Sequence, residues 1–370
     1  MHKTGSSSIQ RSLRDYNDGI IRYANLGYEN HSIPIYTAFS DRHLDYNIWR
    51  RAGLSGEAIE QKRLDCRAKI EDSLTEETEQ NIIFSGEDMT KLSTDGLISL
   101  KAALNKHCGK IKIFAYIRDP ISFNSSAIQE YIKNGENSHF QYLPRYKETF
   151  EKFMTVFGFD NVTLKTFRRS ELTNSDVVTD FCKHFDIALK HKPAHVNESL
   201  STEAIKCIYI LNTIVNPLDG DTMLNSARST FISTLASLLP GSFSVNLGIT
   251  DSEWLNSDCD WLENVTSIKL DRSGIYVAKN LKAKSYLFFS SLENNTIDTI
   301  LAYLNTGIDF GRDPRKIIHR LYIECFSALS AKRINFNPES YLNLNPDVRN
   351  AGANPYEHYL KYGEKEGRQF

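Results

Sequence analysis

The chain has 370 residues, 41% of them hydrophobic and 24% charged, enough for a buried core in one large domain plus a small module, or in two domains. A net charge of −2 excludes a globally basic nucleic-acid binder or membrane-surface protein, so local basic clusters must hold any anionic ligand. The six cysteines are far apart with no C-x-x-C, which excludes a paired-cysteine zinc site and a disulfide framework; they read as buried thiols in a reducing compartment.

The chain opens with MHKTGSSSIQ, where Ile9 and Leu13 follow a Gly-Ser loop at helical spacing; this predicts a loop running into a helix N-terminus. A turn-rich stretch, Asn25–Tyr36, comes next, then a charged solvated helix over Ala58–Glu79. NIIFSG (Asn81–Gly86) predicts a buried strand, and a helix over about Leu97–His107 follows N-cap candidates in KLSTDG. KIKIFAYIRDP (Lys110–Pro120) is a second strand, with Pro120 expected to stop or redirect the chain. Helices are expected at Ser126–Lys133 and Tyr146–Val156, a third strand at Asn161–Phe167 and a helix at Asp176–Phe185.

Strands alternating with helices predict an α/β domain with a parallel sheet, with ligands beyond the carboxyl ends of its strands. From Ser201 to about Leu239 the pattern is mainly helical, and the uncharged run Ser229–Thr250 is interrupted by Pro240-Gly241, unlike a membrane span. The expectation is therefore a soluble, cytoplasmic protein. DSEWLNSDCDWL supplies two tryptophans expected to pack on the core, and Thr296–Lys332 reads as helical. The last stretch changes to Asn, Pro, Gly and Tyr. The expected domains are 1–271, a mainly helical linker at 272–333, and a small module at 334–370.

Two loops carry chemistry. Unpaired N–H groups at a helix start attract anions, and Gly5, the hydroxyls of Ser6, Ser7 and Ser8, and the Lys3 ammonium would together cradle a phosphate or sulfate. This is not G-x-x-x-x-G-K-[ST], because the lysine precedes the glycine and no second glycine follows, which counts against a kinase or ATPase. In YIRDPISFNSS, Arg118 follows a strand and could clamp a phosphate, with Ser126 entering at the next helix start. An Arg-Asp surface pair and an N-cap serine describe the same residues equally well.

Together the loops resemble a family. K-T-G-S-S-S is similar to the K-T-G-T-T-[ST] loop of sulfotransferases that use 3′-phosphoadenosine 5′-phosphosulfate (PAPS), and RDP with a serine eight residues after the arginine looks like their 3′-phosphate site. The bacterial carbohydrate-type members resemble it most, over Met1 to about Asp271. The resemblance implies a P-loop-like three-layer fold with a central parallel sheet, whose first strand is truncated here because only Met1 and His2 precede the loop. It implies that Lys3, Thr4, Gly5, Ser6, Ser7 and Ser8 surround the 5′-phosphosulfate, that Arg118 and Ser126 hold the 3′-phosphate, and that no metal takes part. Lys3 would stabilise the leaving oxygen and His31 would act as base, with Glu29 as runner-up. A turn histidine is the plain alternative for His31. Asn197 and Ser199 either border the nucleotide or cap the next helix.

Phe336–Arg368 resembles a short bacterial repeat at Asn345-Pro346-Asp347-Val348, His358-Tyr359 and Glu366-Gly367-Arg368. Such units accompany glycan-modifying enzymes, which implies a small helical module and a carbohydrate acceptor, with no nucleic-acid partner. The competing expectation is a non-catalytic glycan-binding or scaffold protein.

Overall fold

The computed structural model describes residues 1–75, 80–138, 140–194, 199–215, 222–305, 311–350, 355–363, 366, 368 and 369. The first half runs α1 (Ser6–Leu13), β1 (Ile21–Tyr23), α2 (Ser32–Phe39), α3 (Asn47–Arg51), α4 (Gly56–Thr75), β2 (Asn81–Ile83), α5 (Thr94–Asn105), β3 (Ile113–Ile117), α6 (Pro120–Lys133), α7 (Tyr146–Phe157), β4 (Val162–Thr166) and α8 (Val177–His184). The remainder is helical: α9 (Thr202–Asn212), α10 (Thr222–Leu238), α11 (Ser252–Thr266), α12 (Leu281–Ser290), α13 (Asn294–Leu304), α14 (Pro314–Asn335), α15 (Pro338–Leu344), α16 (Pro346–Asn350) and α17 (Pro355–His358).

Helices dominate, and the strands pair in parallel, as alternating strands and helices require. The described strands do not form one central sheet. They form two ladders, β1 with β2 (Ile21 opposite Asn81) and β3 with β4 (Ile113 opposite Val162). Both ladders feed one apolar layer: Tyr23 and Ile83 from the first and Phe114 and Tyr116 from the second pack with Ile9 and Leu13 of α1 and with Val178 and Phe181 of α8.

Pro120 redirects the chain from β3 into a helix, one of the two outcomes expected of it. It is the first residue of α6, where a missing N–H costs nothing because the first turn has no acceptor for it. Ser126 therefore lies inside a helix and not at its start.

The chain divides into two units that interleave along the sequence, which alters the expected boundaries at 271 and 333. The first comprises Met1–Asn124, Leu143–Glu198 and Ile249–Val277; the second comprises Ser125–Tyr142, Ser199–Gly248 and Ala278–Phe370. In the first unit, Trp49, Ile59, Ile70, Leu97 and Phe153 form one apolar cluster, and Ile117, Phe150, Leu255 and Leu262 another. The second is organised on α9, which is buried from Ala204 to Asn212 and packs with residues of α6, α10, α13 and α14. Its C-terminal segment has a small cluster of Phe336, Tyr341 and Val348 with Leu342, Tyr356 and Tyr359.

All six cysteines are free, and all but the half-buried Cys108 are buried. Among the described residues, no helix is long and apolar enough to cross a membrane.

Candidate functional site

The opening loop turns sharply into α1. Lys3 has φ 62° and Gly5 has φ 76°, both in the left-handed region. Gly5 is the N-cap and supplies no side-chain acceptor. The Gly5 carbonyl accepts the N–H groups of Ser8 (3.1 Å) and Ile9 (3.2 Å). The N–H groups of Ser6 and Ser7 have no acceptor among the described residues, and both residues are partly exposed. These are the donors that a helix start leaves for an outside anion.

The other loop residues differ in role. Thr4 is buried and its hydroxyl donates to the Met1 carbonyl (2.6 Å), so it braces the turn from inside. Ser8 is buried at the first turn of α1. Lys3 is half-buried.

Arg118 follows β3 directly and meets this loop. Its Nη1 donates to the Lys3 carbonyl (2.9 Å), its Nε donates to Ser122 Oγ (2.7 Å), and its guanidinium lies over the Phe167 ring at 5.5 Å. Its Nη2 makes no hydrogen bond among the described residues. Burial, helped by the nearby Arg169, lowers the guanidinium's pKa to about 10, so it stays charged at neutral pH. The adjacent Asp119 does not neutralise it by pairing, because that carboxylate is forked by Arg168 (Nη2–Oδ1 2.6 Å, Nε–Oδ2 2.7 Å). The Arg-Asp pair of this turn is therefore Arg168–Asp119, leaving Arg118 and the exposed Arg169 as neighbouring cations. Two like charges held together beside unpaired N–H groups describe a place for an anion.

Ser126 is half-buried in the part of α6 that belongs to the second unit. Asn197 lies outside the described residues. Ser199 accepts the Phe243 N–H (3.0 Å) and donates to Gln129 (3.1 Å), a structural role within the second unit.

His31 is not at the surface of the loop. It is fully buried, its ring stacks on Tyr23 (centroids 4.3 Å apart), and its Nδ1 accepts the Ser85 N–H (3.1 Å). Burial, opposed by the Ala24 backbone, lowers its pKa to about 4, so the imidazole is neutral at pH 7 with its proton on Nε2, which has no well-formed hydrogen bond among the described residues. The lone pair that a general base would use thus accepts the Ser85 N–H in this structure, and the ring has no exposed surface. Glu29 is held by Arg11 (2.7 Å) and Arg14 (2.9 Å).

The sequence reading overlooked the polar residues that join α1 to the segment after β2. Gln10 is 3% exposed and its amide donates to Glu87 (3.2 Å), the Ser85 carbonyl (3.3 Å) and Asn30 Oδ1 (3.4 Å), while Asn30 donates to Glu87 (3.2 Å). Next to them, Asp88 meets His2 (3.2 Å), Lys91 (2.6 Å) and Tyr46 (2.7 Å). Burial pushes that carboxyl up, yet its three partners outweigh it and hold it well below its ordinary range. The signal was the polar SGED after an apolar strand, whose partners stand up to 77 residues away.

Among the described residues, no group of three or more His, Cys, Asp or Glu side chains is arranged to hold a metal. No protein-family model, no curated protein and no solved structure matches this chain.

Proposed function

We propose that the chain is a sulfotransferase that uses PAPS to sulfate a hydroxyl or amine of a carbohydrate. The observation that carries the reading is the hydrogen bond from Arg118 to the Lys3 carbonyl, which joins loops 115 residues apart that the sequence pattern assigns to the two anionic ends of one nucleotide. In this reading the two parallel ladders are halves of one P-loop-like sheet, supported by the apolar layer they share under α1 and α8.

PAPS, when bound, supplies the sulfuryl group and an adenosine bisphosphate leaving group. The N–H groups and hydroxyls of Ser6 and Ser7 hold its 5′ end, and the Lys3 ammonium offsets the charge that grows on the departing oxygen. Arg118, through its uncommitted Nη2, and Arg169 hold the 3′-phosphate. Thr4, Gly5 and Ser8 shape the loop. Ser126 is not needed for this assignment.

The acceptor must lose a proton, and in this reading the buried His31, whose Nδ1 accepts the Ser85 N–H, leaves that step to a neighbour. Glu87, partly exposed and hydrogen-bonded to Gln10 of α1, takes the base role.

Calorimetry with 3′,5′-adenosine bisphosphate beside ATP tests the reading. Selective binding of the bisphosphate is expected, weakened at least tenfold in Lys3→Ala and Arg118→Ala and unchanged in Glu87→Gln, which instead loses about 10²–10⁴-fold in transfer rate. No binding by a cooperatively folding chain sinks the proposal. Binding without transfer to any saccharide leaves a non-catalytic glycan-binding protein.

A further inference from the structure

The two tryptophans expected to pack on the core line an open groove of about 580 Å³ between α7 and α11 in the first unit, and Trp261 also packs on the cluster of Ile117, Phe150, Leu255 and Leu262. Trp254 is 39% exposed and Trp261 is half-buried. They stand seven residues apart on α11, about 10 Å along the helix axis, on one stripe with Ser257 and Asn264. The facing wall is Lys147, Glu148 and Glu151 of α7, with Arg145 before it. Arg145 lies 5.8 Å from the Trp254 ring and pairs with Glu148 (2.9 Å).

The floor is fixed by Asp258, a buried carboxylate that accepts the N–H groups of Tyr146 (2.7 Å) and Lys147 (2.9 Å) at the start of α7. From the same floor the Tyr146 hydroxyl donates to the Arg118 carbonyl (2.6 Å).

Trp254 keeps 39% of its surface in water and Trp261 is only half-buried, so each indole forgoes part of its burial free energy along one stripe of the groove, as at a binding surface. The walls carry both signs of charge, with Arg145 already paired to Glu148, so they do not select an anion. The acidic groups between the indoles and the Asn264 amide beyond them also disfavour a purely apolar segment. Flat apolar faces ringed by donors and acceptors match a sugar, which offers C–H groups on its face and hydroxyls at its edge. The backbone rise of about 10 Å between the two positions is the spacing of alternate rings in an extended saccharide.

We infer that this groove binds an oligosaccharide of three or more residues, with rings stacked on Trp254 and Trp261. The groove stands on its own geometry. That its glycan is also the acceptor rests on the sulfotransferase reading, with Tyr146 linking the floor to the Arg118 turn.

The test uses the full chain on an array of neutral, amino and uronic oligosaccharides, each retained glycan then being titrated by tryptophan emission. The third tryptophan, Trp49, is buried at 7% exposure and serves as an internal reference. Retention is expected, with affinity reduced tenfold or more in Trp254→Ala and in the milder Trp261→Phe, while the thermal melt and bisphosphate calorimetry stay as in wild type. The inference is overturned if the folded wild type retains no array glycan or if the double variant retains it equally. It is also overturned if the face proves to hold a second copy, seen as a dimer in sedimentation that Trp254→Ala dissociates. Absent bisphosphate binding with glycan retained would sink the nucleotide reading alone.

Discussion

Gly5 carries two constraints. Its φ of 76° disfavours any L side chain, and a Cβ built there would lie 2.6 Å from Val177 Cγ1 at the start of α8. Gly5→Ala is expected to lower stability by about 1–3 kcal/mol, read as a shift of the urea midpoint at unchanged slope, and to abolish bisphosphate binding even where the chain remains folded. His31 makes the second prediction at this scale. Its folded pKa of about 4 lies below the ordinary value of 6.5, so the unfolded chain binds the proton first. Its contribution is intact above pH 6.5 and is lost as pH falls towards 4, by on the order of 3 kcal/mol. Unfolding free energies measured from pH 7.5 to 4 should show this slope, and His31→Asn should flatten it; equal slopes would remove His31 as its origin. The sequence could mark Gly5 because glycine before a serine run is a local signal. It could not reveal the state of His31, which depends on Ser85, 54 residues later.

Single elements explain the C-terminal pattern. Asn345 donates to the Tyr341 carbonyl (2.8 Å), Arg368 pairs with Asp347 (2.7 Å), and the Tyr341 hydroxyl meets His358 Nδ1 (2.9 Å). The repeat-like residues thus close a small cluster upon a tyrosine with no exposure. Gly363 completes it, since a Cβ there would run into the Tyr341 hydroxyl and the Tyr359 ring. Gly363→Ala should unfold the module locally, seen as fast amide exchange over 338–350, because a fully buried ring cannot swing aside. Arg368→Ala removes half-exposed ion pairs to Asp347 and Glu366 and a hydrogen bond to Asn345 (3.2 Å), and should change exchange less. Equal effects would mean that charge, not packing, holds the module. Here sequence spacing conveyed the residues in advance but not their partners. At Pro120 the sequence leaves a stop and a redirection equally open, and the helical residues after it decide for the second, since a proline fits a first helical turn.

At the scale of the molecule, strands alternating with helices were legible because each strand is a local apolar run. The split into two ladders and the interleaved units were not, since both depend on which distant segments share a core. This has a consequence for dissection at residue 271. Such a fragment keeps Ile128, Ile205, Ile208 and Phe231 but loses Ile297, Ile300, Ile317, Ile318 and Leu321, which belong to the same cluster. Each such side chain left in water forgoes roughly 1.5–3 kcal/mol of burial, and a domain's whole stability is only about 5–15 kcal/mol, so five lost partners suffice to unfold the second unit. Fragment 1–271 should therefore bind a hydrophobic dye and lack a single cooperative melt, although it contains both loops proposed to bind the nucleotide. The loops proposed to hold the nucleotide lie in the first unit, of which the fragment lacks only residues 272–277, so bisphosphate binding is expected to outlast the loss of the second unit's fold. A fragment that melts cooperatively without binding dye would show that the helices after residue 271 are not needed to bury that cluster, and would restore the simpler boundary suggested by the sequence.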